Sequence, residues 1–192
     1  MPVHQADAER ALLAFLRALG RDPDREPELA GTAKRVAEAW GRELVDGYDI
    51  DVPALLASES SPLPPGPKSI IAVRDLTVST VCPHHLLPAR GWGAVLYLPG
   101  ARVSGLGTLS RLVDAFAHRL TLQETIAGDV ASALVAHLGA EGAACEISLV
   151  HSCLASRGER QAGASVDTIA FAGSFAEGGK DRALALAALG GK

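Results

Sequence analysis

A chain of 192 residues with a formal net charge of −4 is sized for one domain with a helical appendage, and it has no overall positive field to draw it to nucleic acid or an anionic membrane. Its hydrophobic content of 48% suffices for a sizeable core, yet no apolar run approaches the roughly 20 residues needed to span a bilayer. Three cysteines make a disulfide framework a poor reading and a cytoplasmic protein with metal-binding or catalytic thiols a better one, and the charged start MPVHQADAER lacks the apolar stretch of a signal peptide.

Leu12, Leu13, Leu16 and Leu19 recur at helical spacing and predict an amphipathic helix over 7–20, stopped by Gly20. A second helix is predicted over about 33–46, with Thr32 as its cap and Ala33, Val36, Ala37, Trp40 and Leu44 as its apolar stripe. SESSPLPPGPK at 58–68 reads as a loop or linker. It separates an N-terminal helical region, 1–57, from a body over 69–177. In the body, SIIAV and LTVSTV predict a hairpin or two short strands, and GWGAVLYLP predicts a further strand ended by Pro99-Gly100. Helices follow over about 108–119 (Leu109, Leu112, Val113, Phe116) and 122–138 (Leu122, Ile126, Val130, Leu134), then strands over 143–150 and 164–173. A tail over 178–192 has helix-forming residues between Gly-rich ends that favour fraying. Strands, two helices and more strands predict an α+β fold with an antiparallel sheet.

Cys82-Pro83-His84-His85 and His151-Ser152-Cys153 hold three of the six histidines and two of the three cysteines. Zinc accepts thiolate and imidazole, with four protein ligands in structural sites and three plus a water in catalytic ones. The C-x-x-H spacing of Cys82 and His85 suits a tight turn, which Pro83 favours. His151 and Cys153, at i and i+2, project the same way if the segment is extended. Five candidate groups exceed what a closed site needs. Three ligands and two free histidines is the economical division, leaving an activated water beside a general base and a general acid. A closed structural zinc is the competing reading. Cys145, within a predicted strand, reads as a small apolar core residue, and His4, His118 and His137 as ordinary hydrogen-bonded histidines.

At these residues the sequence resembles the GTP cyclohydrolase I family. There a Cys-Glu-His-His motif precedes a Gly-Leu-Ser-Lys segment leading to an arginine, then Gln-Glu, then His-x-Cys followed by Arg-Gly. Here Cys82-Pro83-His84-His85, Gly105-Leu106-Gly107-Thr108 with Arg111, Gln123-Glu124, and His151-Ser152-Cys153 with Arg157-Gly158 stand in that order, and the likeness runs from about residue 32 to 175. The resemblance implies the tunnelling fold, an antiparallel sheet backed by two helices, and a homodecamer of two pentamers with sites at subunit interfaces. It implies Cys82, His85 and Cys153 as zinc ligands, His84 and His151 as proton carriers, and Glu124 with Gln123 as readers of the guanine edge. The implied reaction hydrates C8 of GTP, opens the imidazole ring, releases formate and closes a pterin ring to give dihydroneopterin triphosphate, a step of pterin and tetrahydrofolate biosynthesis. Residue chemistry agrees: purine C8 is a poor electrophile that needs protonation at N7, and a carboxylate suits the two donors of the guanine edge. Thr121-Leu122-Gln123-Glu124 is also a T-x-x-E capping box; the resemblance favours substrate binding for Glu124.

A triphosphate calls for cations and backbone N–H donors. Gly105 to Thr108, opening a helix, supplies donors and a favourable dipole. Arg111 in the first turn opposes that dipole unless an anion lies near. Arg35, Arg157 and Arg160 are further cations, the first two at positions that match phosphate-binding ones in the family; each alone reads as a solvated surface arginine. The sequence departs from the family here. Gly107-Thr108 stands for Ser-Lys, Glu38 for a lysine three residues after Arg35, and Pro83 for the glutamate of the first motif. The expectation is an intact zinc and guanine machinery with a weakened triphosphate clamp. The leading reading is a zinc-dependent cyclohydrolase acting on GTP. A second keeps the ring-opening chemistry on a different or less phosphorylated purine. A third is a non-catalytic pterin- or purine-binding zinc protein, which has no use for two free histidines.

Overall fold

The computed structural model describes residues 3–177 and 179–190. Of the predicted N-terminal region, residues 1–2 lie outside them, as do 178, 191 and 192 of the predicted tail. The N-terminal part is helical. α1 (Gln5–Ala18) carries the expected leucine stripe but has no buried residue, and Phe15 and Leu19 are more than half exposed. It packs against α2 (Thr32–Ala39). Gly31, in the left-handed region at φ 71°, holds the cap position of α2, so Thr32 falls inside the helix rather than capping it. The helix predicted as far as 46 changes at Trp40 into a π turn that ends at Leu44.

A 3-10 turn over Asp46–Asp49 then brings Gly47 against the end of a later helix, where its N–H donates to the His118 carbonyl at 3.1 Å. A Cβ at Gly47 would lie 2.7–2.9 Å from three backbone oxygens, so only glycine permits this approach. His118 reinforces the junction. Its Nδ1 sits 2.8 Å from Asp46 Oδ1 and its Nε2 3.5 Å from Ser79 Oγ. α3 (Val52–Ser58) has no counterpart in the sequence reading, although its signal was present: Asp51 caps it by accepting from the Ala54 N–H at 3.0 Å, and Pro53 sits in its first turn. Val52 and Leu56 join the main core.

The Ser/Pro-rich segment is not loop throughout. β1 (Ser60–Pro62) pairs antiparallel with β4 (Arg102–Ser104), and Arg102 donates to the Ser60 hydroxyl and carbonyl at 2.8 and 2.7 Å. Between them lie β2 (Ile71–Val81) and β3 (Pro88–Leu98). The two predicted short strands are a single strand, β2, interrupted between Val73 and Leu76, where Asp75 turns to φ 55°. β5 (Gly142–His151) and β6 (Val166–Gly173) complete a fully antiparallel sheet of order β2-β3-β5-β6.

Strand alternation decides the two faces. Val95 of β3 and Cys145, Ile147 and Leu149 of β5 point to one face, where α4 (Leu106–Ala117) and α5 (Gln123–Ala133) cover them with Leu109, Leu112, Ile126 and Val130. Ala94, Leu96 and Ala144 point the other way, beneath Phe175 and the Ala185 and Leu189 side chains of α7 (Gly179–Gly190), a helix over the helix-forming residues of the predicted tail. Cys145 is fully buried, and burial pushes its thiol up to about 12, which fits an inert core residue. The result is the expected α+β fold, an antiparallel sheet backed by two helices. Among the described residues no helix is long and apolar enough to cross a membrane.

Candidate active site

The β2–β3 hairpin builds half of the site. Cys82 leaves the end of β2, its N–H donates to the Leu87 carbonyl and its carbonyl accepts from Leu86, both at 2.9 Å. This tight closure forces Leu86 to φ 53°, a strained choice for a branched side chain. It also turns His85 back, so that its Nδ1 lies 3.6 Å from the Cys82 sulfur. His84 projects beside it, the two rings meeting edge-on at 6.3 Å between centroids.

The end of β5 builds the other half. His151 is its last residue, paired with Ala89 of β3, and the chain then enters the short helical turn α6 (Ser152–Ala155). The expectation that His151 and Cys153 project together from an extended segment is therefore corrected: the backbone turns helical between them and re-aims Cys153. That turn places its sulfur with Cys82 and His85, and the three donor atoms lie within 4.8 Å of one another. Around an ion about 2.3 Å from sulfur and 2.1 Å from nitrogen, two tetrahedral corners stand roughly 3.6 Å apart. The Cys82–His85 separation matches that edge, and with the Cys153 sulfur within 4.8 Å of both, two thiols and one imidazole are a donor set that could hold a zinc-type ion. Burial and the adjoining Cys82 thiol push the Cys153 thiol up, while Arg157 pulls it back. Two crowded thiols of this kind suit a cation between them.

α5 meets this cluster end-on. Its first residue, Gln123, is buried, with its amide nitrogen 2.9 Å from the Ile147 carbonyl and 2.8 Å from the Val166 carbonyl. Its amide oxygen lies 2.8 Å from His151 Nε2. The capping box is not formed: Leu122, not Thr121, is the cap residue, and no side chain caps the helix. Glu124 instead stands exposed on the wall of a cleft of about 280 Å³, its carboxylate making no hydrogen bond among the described residues. Burial lowers the His151 pKa, and the nearby Glu124 charge partly restores it. The cleft thus brings together Cys82, His84, His85 and Cys153 with Gln123, Glu124 and His151.

The other predicted residues do not line this cleft. Arg35 folds back on its own helix, donating to the Ala30 carbonyl at 3.0 Å and Thr32 Oγ1 at 3.1 Å. Gly107 and Thr108 open α4 as expected, but the Thr108 hydroxyl donates to Glu59 at 2.7 Å and Arg111 forms an ion pair with the same carboxylate. α4 begins at Leu106, so Arg111 stands in its second turn and not in the first as expected, and Glu59, missed in the sequence reading, is the anion that pairs with it. Thr108 foremost, with Arg111, holds its carboxyl below the usual range. Arg157 is exposed beyond α6. Thr168 was missed too: its Oγ1 lies 3.2 Å from the Gln123 amide nitrogen, a contact without local sequence signal because it joins β6 to α5.

The sequence profile of the family described as GTP cyclohydrolase I matches residues 8–189. Over 169 residues the chain is 41% identical to GTP cyclohydrolase 1 of Allorhizobium ampelinum, covering 88% of this chain and 83% of that one. It is 40% identical over 192 residues to GTP cyclohydrolase 1 of Ralstonia nicotianae, covering 98% of this chain and 90% of the relative. With GTP cyclohydrolase 1 of Chromobacterium violaceum it shares 42% identity over 175 residues, 91% of this chain and 82% of that one. Among solved structures it is similar to the archaeosine synthase QueF-Like in the apo form, with a TM-score of 0.46 and 19% identity, over 57% of this chain and 98% of the other.

Proposed function

The chain belongs to the GTP cyclohydrolase I family, and we propose that its cleft opens the imidazole ring of GTP at C8, releasing formate and forming dihydroneopterin triphosphate. It is an enzyme of the GTP cyclohydrolase type, a hydrolase. The observation that carries the finer reading is the meeting, in one cleft, of a Cys82–His85–Cys153 donor set with two further histidines and the Glu124 carboxylate. Cys82, His85 and Cys153 would hold zinc. When bound, the ion would supply Lewis-acid polarisation and a water activated at neutral pH. His151 exchanges a proton with purine N7, and His84 serves the second proton transfer. Glu124 accepts from the guanine N1–H and exocyclic amine, a pairing of one carboxylate with two donors. The three free thiols favour a reducing compartment such as the cytoplasm.

Arg35, Gly107, Thr108 and Arg111 lie away from the cleft of a single chain. They support a triphosphate site completed between subunits, in the homodecamer that the family resemblance implies. Sedimentation velocity tests this: a monomer at working concentration would remove the shared site. For the reaction itself, zinc-loaded protein incubated with GTP is expected to yield formate and, after oxidation, a fluorescent pterin. Absence of both products would overturn the assignment.

One observation favours a second reading. Arg111 and Thr108 are already engaged by Glu59, and Glu38 adds a negative charge where the family has a positive one. The same ring-opening chemistry on a less phosphorylated guanine nucleotide needs fewer cations. A panel of GTP, GDP, GMP and guanosine separates the two, since a strong preference for GTP removes the second.

A further inference from the structure

Gln123 and His151 form a hydrogen bond whose direction can be worked out atom by atom. The Gln123 amide nitrogen faces the backbone carbonyls of Ile147 and Val166, at 2.9 and 2.8 Å. Carbonyls only accept, so the group that faces them must be the NH₂, and its two protons are taken. A flipped amide would set oxygen against two oxygens in a buried place, Gln123 being only 4% exposed. The amide oxygen is therefore the atom 2.8 Å from His151 Nε2. That oxygen cannot donate either, so Nε2 carries the hydrogen.

We propose that Gln123 is a positioning residue that fixes His151 as its Nε2–H tautomer, so that every proton His151 exchanges with the substrate passes through Nδ1. The proposal rests on the reading that His151 moves protons in this cleft. Gln123 opens α5, Ile147 belongs to β5, and Val166 and Thr168 belong to β6, so one buried amide ties the helix start to two strands and aims the ring at the end of β5. The donor to Gln123 is settled before substrate arrives, and Nδ1 is the ring nitrogen left to the cleft that His151 lines. The geometry also changes the role that the resemblance implies for Gln123. Both amide protons are committed, so it cannot donate to the guanine oxygen without abandoning a buried carbonyl. Recognition of the guanine edge falls to Glu124, one residue on.

The deciding experiment uses the unaltered, zinc-loaded chain with histidine-selective ¹⁵N labelling, the His151 signals assigned by comparison with His151→Gln. A pyrrole-type Nε2 and a pyridine-type Nδ1 are expected for neutral His151; a pyrrole-type Nδ1 would overturn the proposal. That spectrum decides whether or not GTP is turned over, so failure here is distinct from failure of the proposed activity. Kinetics supply the second arm. Gln123→Met keeps the length of the side chain and removes the acceptor. It is expected to lower kcat about 10²–10⁴-fold, the range for loss of a correctly oriented proton carrier, with KM for GTP unchanged and the Nε2–H signature lost. A raised KM with unchanged kcat would make Gln123 a substrate reader and refute the positioning role. If Gln123→Met does not fold, the spectrum of the unaltered chain still decides.

Discussion

Gly91 is the position at which the smallest substitution should reach furthest. It lies in β3 opposite Leu149 of β5, two pairs from Ala89–His151. A Cβ built there falls 2.0 Å from the Ser148 carbonyl oxygen and 3.1 Å from Leu149 Cα. Ordinary contact begins at 3.4 Å, so Gly91→Ala demands about 1.4 Å of separation between strands that hydrogen bonding holds about 4.8 Å apart. Overpacking of this kind costs about 1–3 kcal/mol, and losing one or two ladder bonds adds about 0.5–1.5 kcal/mol each. The expected loss is about 2–5 kcal/mol, a large part of the stability of an ordinary domain. The displaced strand end carries His151 and, through α6, Cys153, so zinc affinity should fall with stability. Gly93→Ala is the matched control: its Cβ meets Glu146 O and a Val78 methyl at 3.1 Å, a conflict settled by a few tenths of an ångström. Urea unfolding and zinc titration of both variants provide the assay. Gly91→Ala with the stability and zinc binding of Gly93→Ala would refute the reasoning.

Cys82→Ser should abolish stoichiometric zinc binding and turnover together, measured by metal analysis of the purified variant; a fully loaded, active variant would remove Cys82 from the ligand set. Glu38→Lys should lower KM for GTP more than KM for guanosine, because it exchanges an anion for a cation on the triphosphate side; equal changes for both substrates would count against the weakened clamp. Burial holds the Asp114 carboxyl above its ordinary range, with His118 opposing the shift and Asp46 adding to it. The fold therefore disfavours the charged form, a penalty fully present above the folded-state pKa and lost as pH falls below the ordinary Asp value, being absent by about pH 2–3, where folded and unfolded chains are both protonated. Asp114→Asn should raise Tm near neutral pH and leave it unchanged at about pH 2–3, and thermal scans at the two pH values with equal shifts would exclude that cause.

Where periodicity and burial coincide, the sequence was legible. The stripes Leu109–Leu112–Val113 and Ile126–Val130–Leu134 read correctly because one face of each helix meets one face of a sheet. Legibility failed where a distant partner chose the conformation. Ser60–Pro62 is too polar and short to announce a strand, and only the Arg102 side chain and the Ser104 edge make it one. The T-x-x-E pattern at Thr121 satisfies the local rule for a cap, but the packing of Gln123 against Ile147 and Val166 starts the helix one residue later and leaves Glu124 to the cleft. The Cys/His cluster was legible as composition, whereas its geometry was not. A strand-based reading of His151 and Cys153 cannot anticipate a helical turn between them.

The two halves of the site stand on different kinds of support, and this bears on how the chain departs from its family. Cys82 and His85 hang on a closed hairpin turn, and His151 and Cys153 follow a strand end whose register is held by ten consecutive residue pairs between β3 and β5. Any slip by one residue would turn Cys145, Ile147 and Leu149 out of the core, so the donor geometry is protected by the stability of the sheet itself. Arg35, Gly107 and Arg111 have no such protection. They sit exposed in the first two turns of α2 and α4, where a change of charge costs the fold little. Under the proposed reading, substitution at Glu38 or Gly107 would alter the phosphate side while the donor set stays fixed, whereas Thr108 is buried and tied to Glu59. The Glu59 carboxylate supplies the counter-charge that α4 and Arg111 would otherwise lack. On the proposed reading of the site, substrate range would be the property free to drift, while the sheet defends the geometry of the donor set.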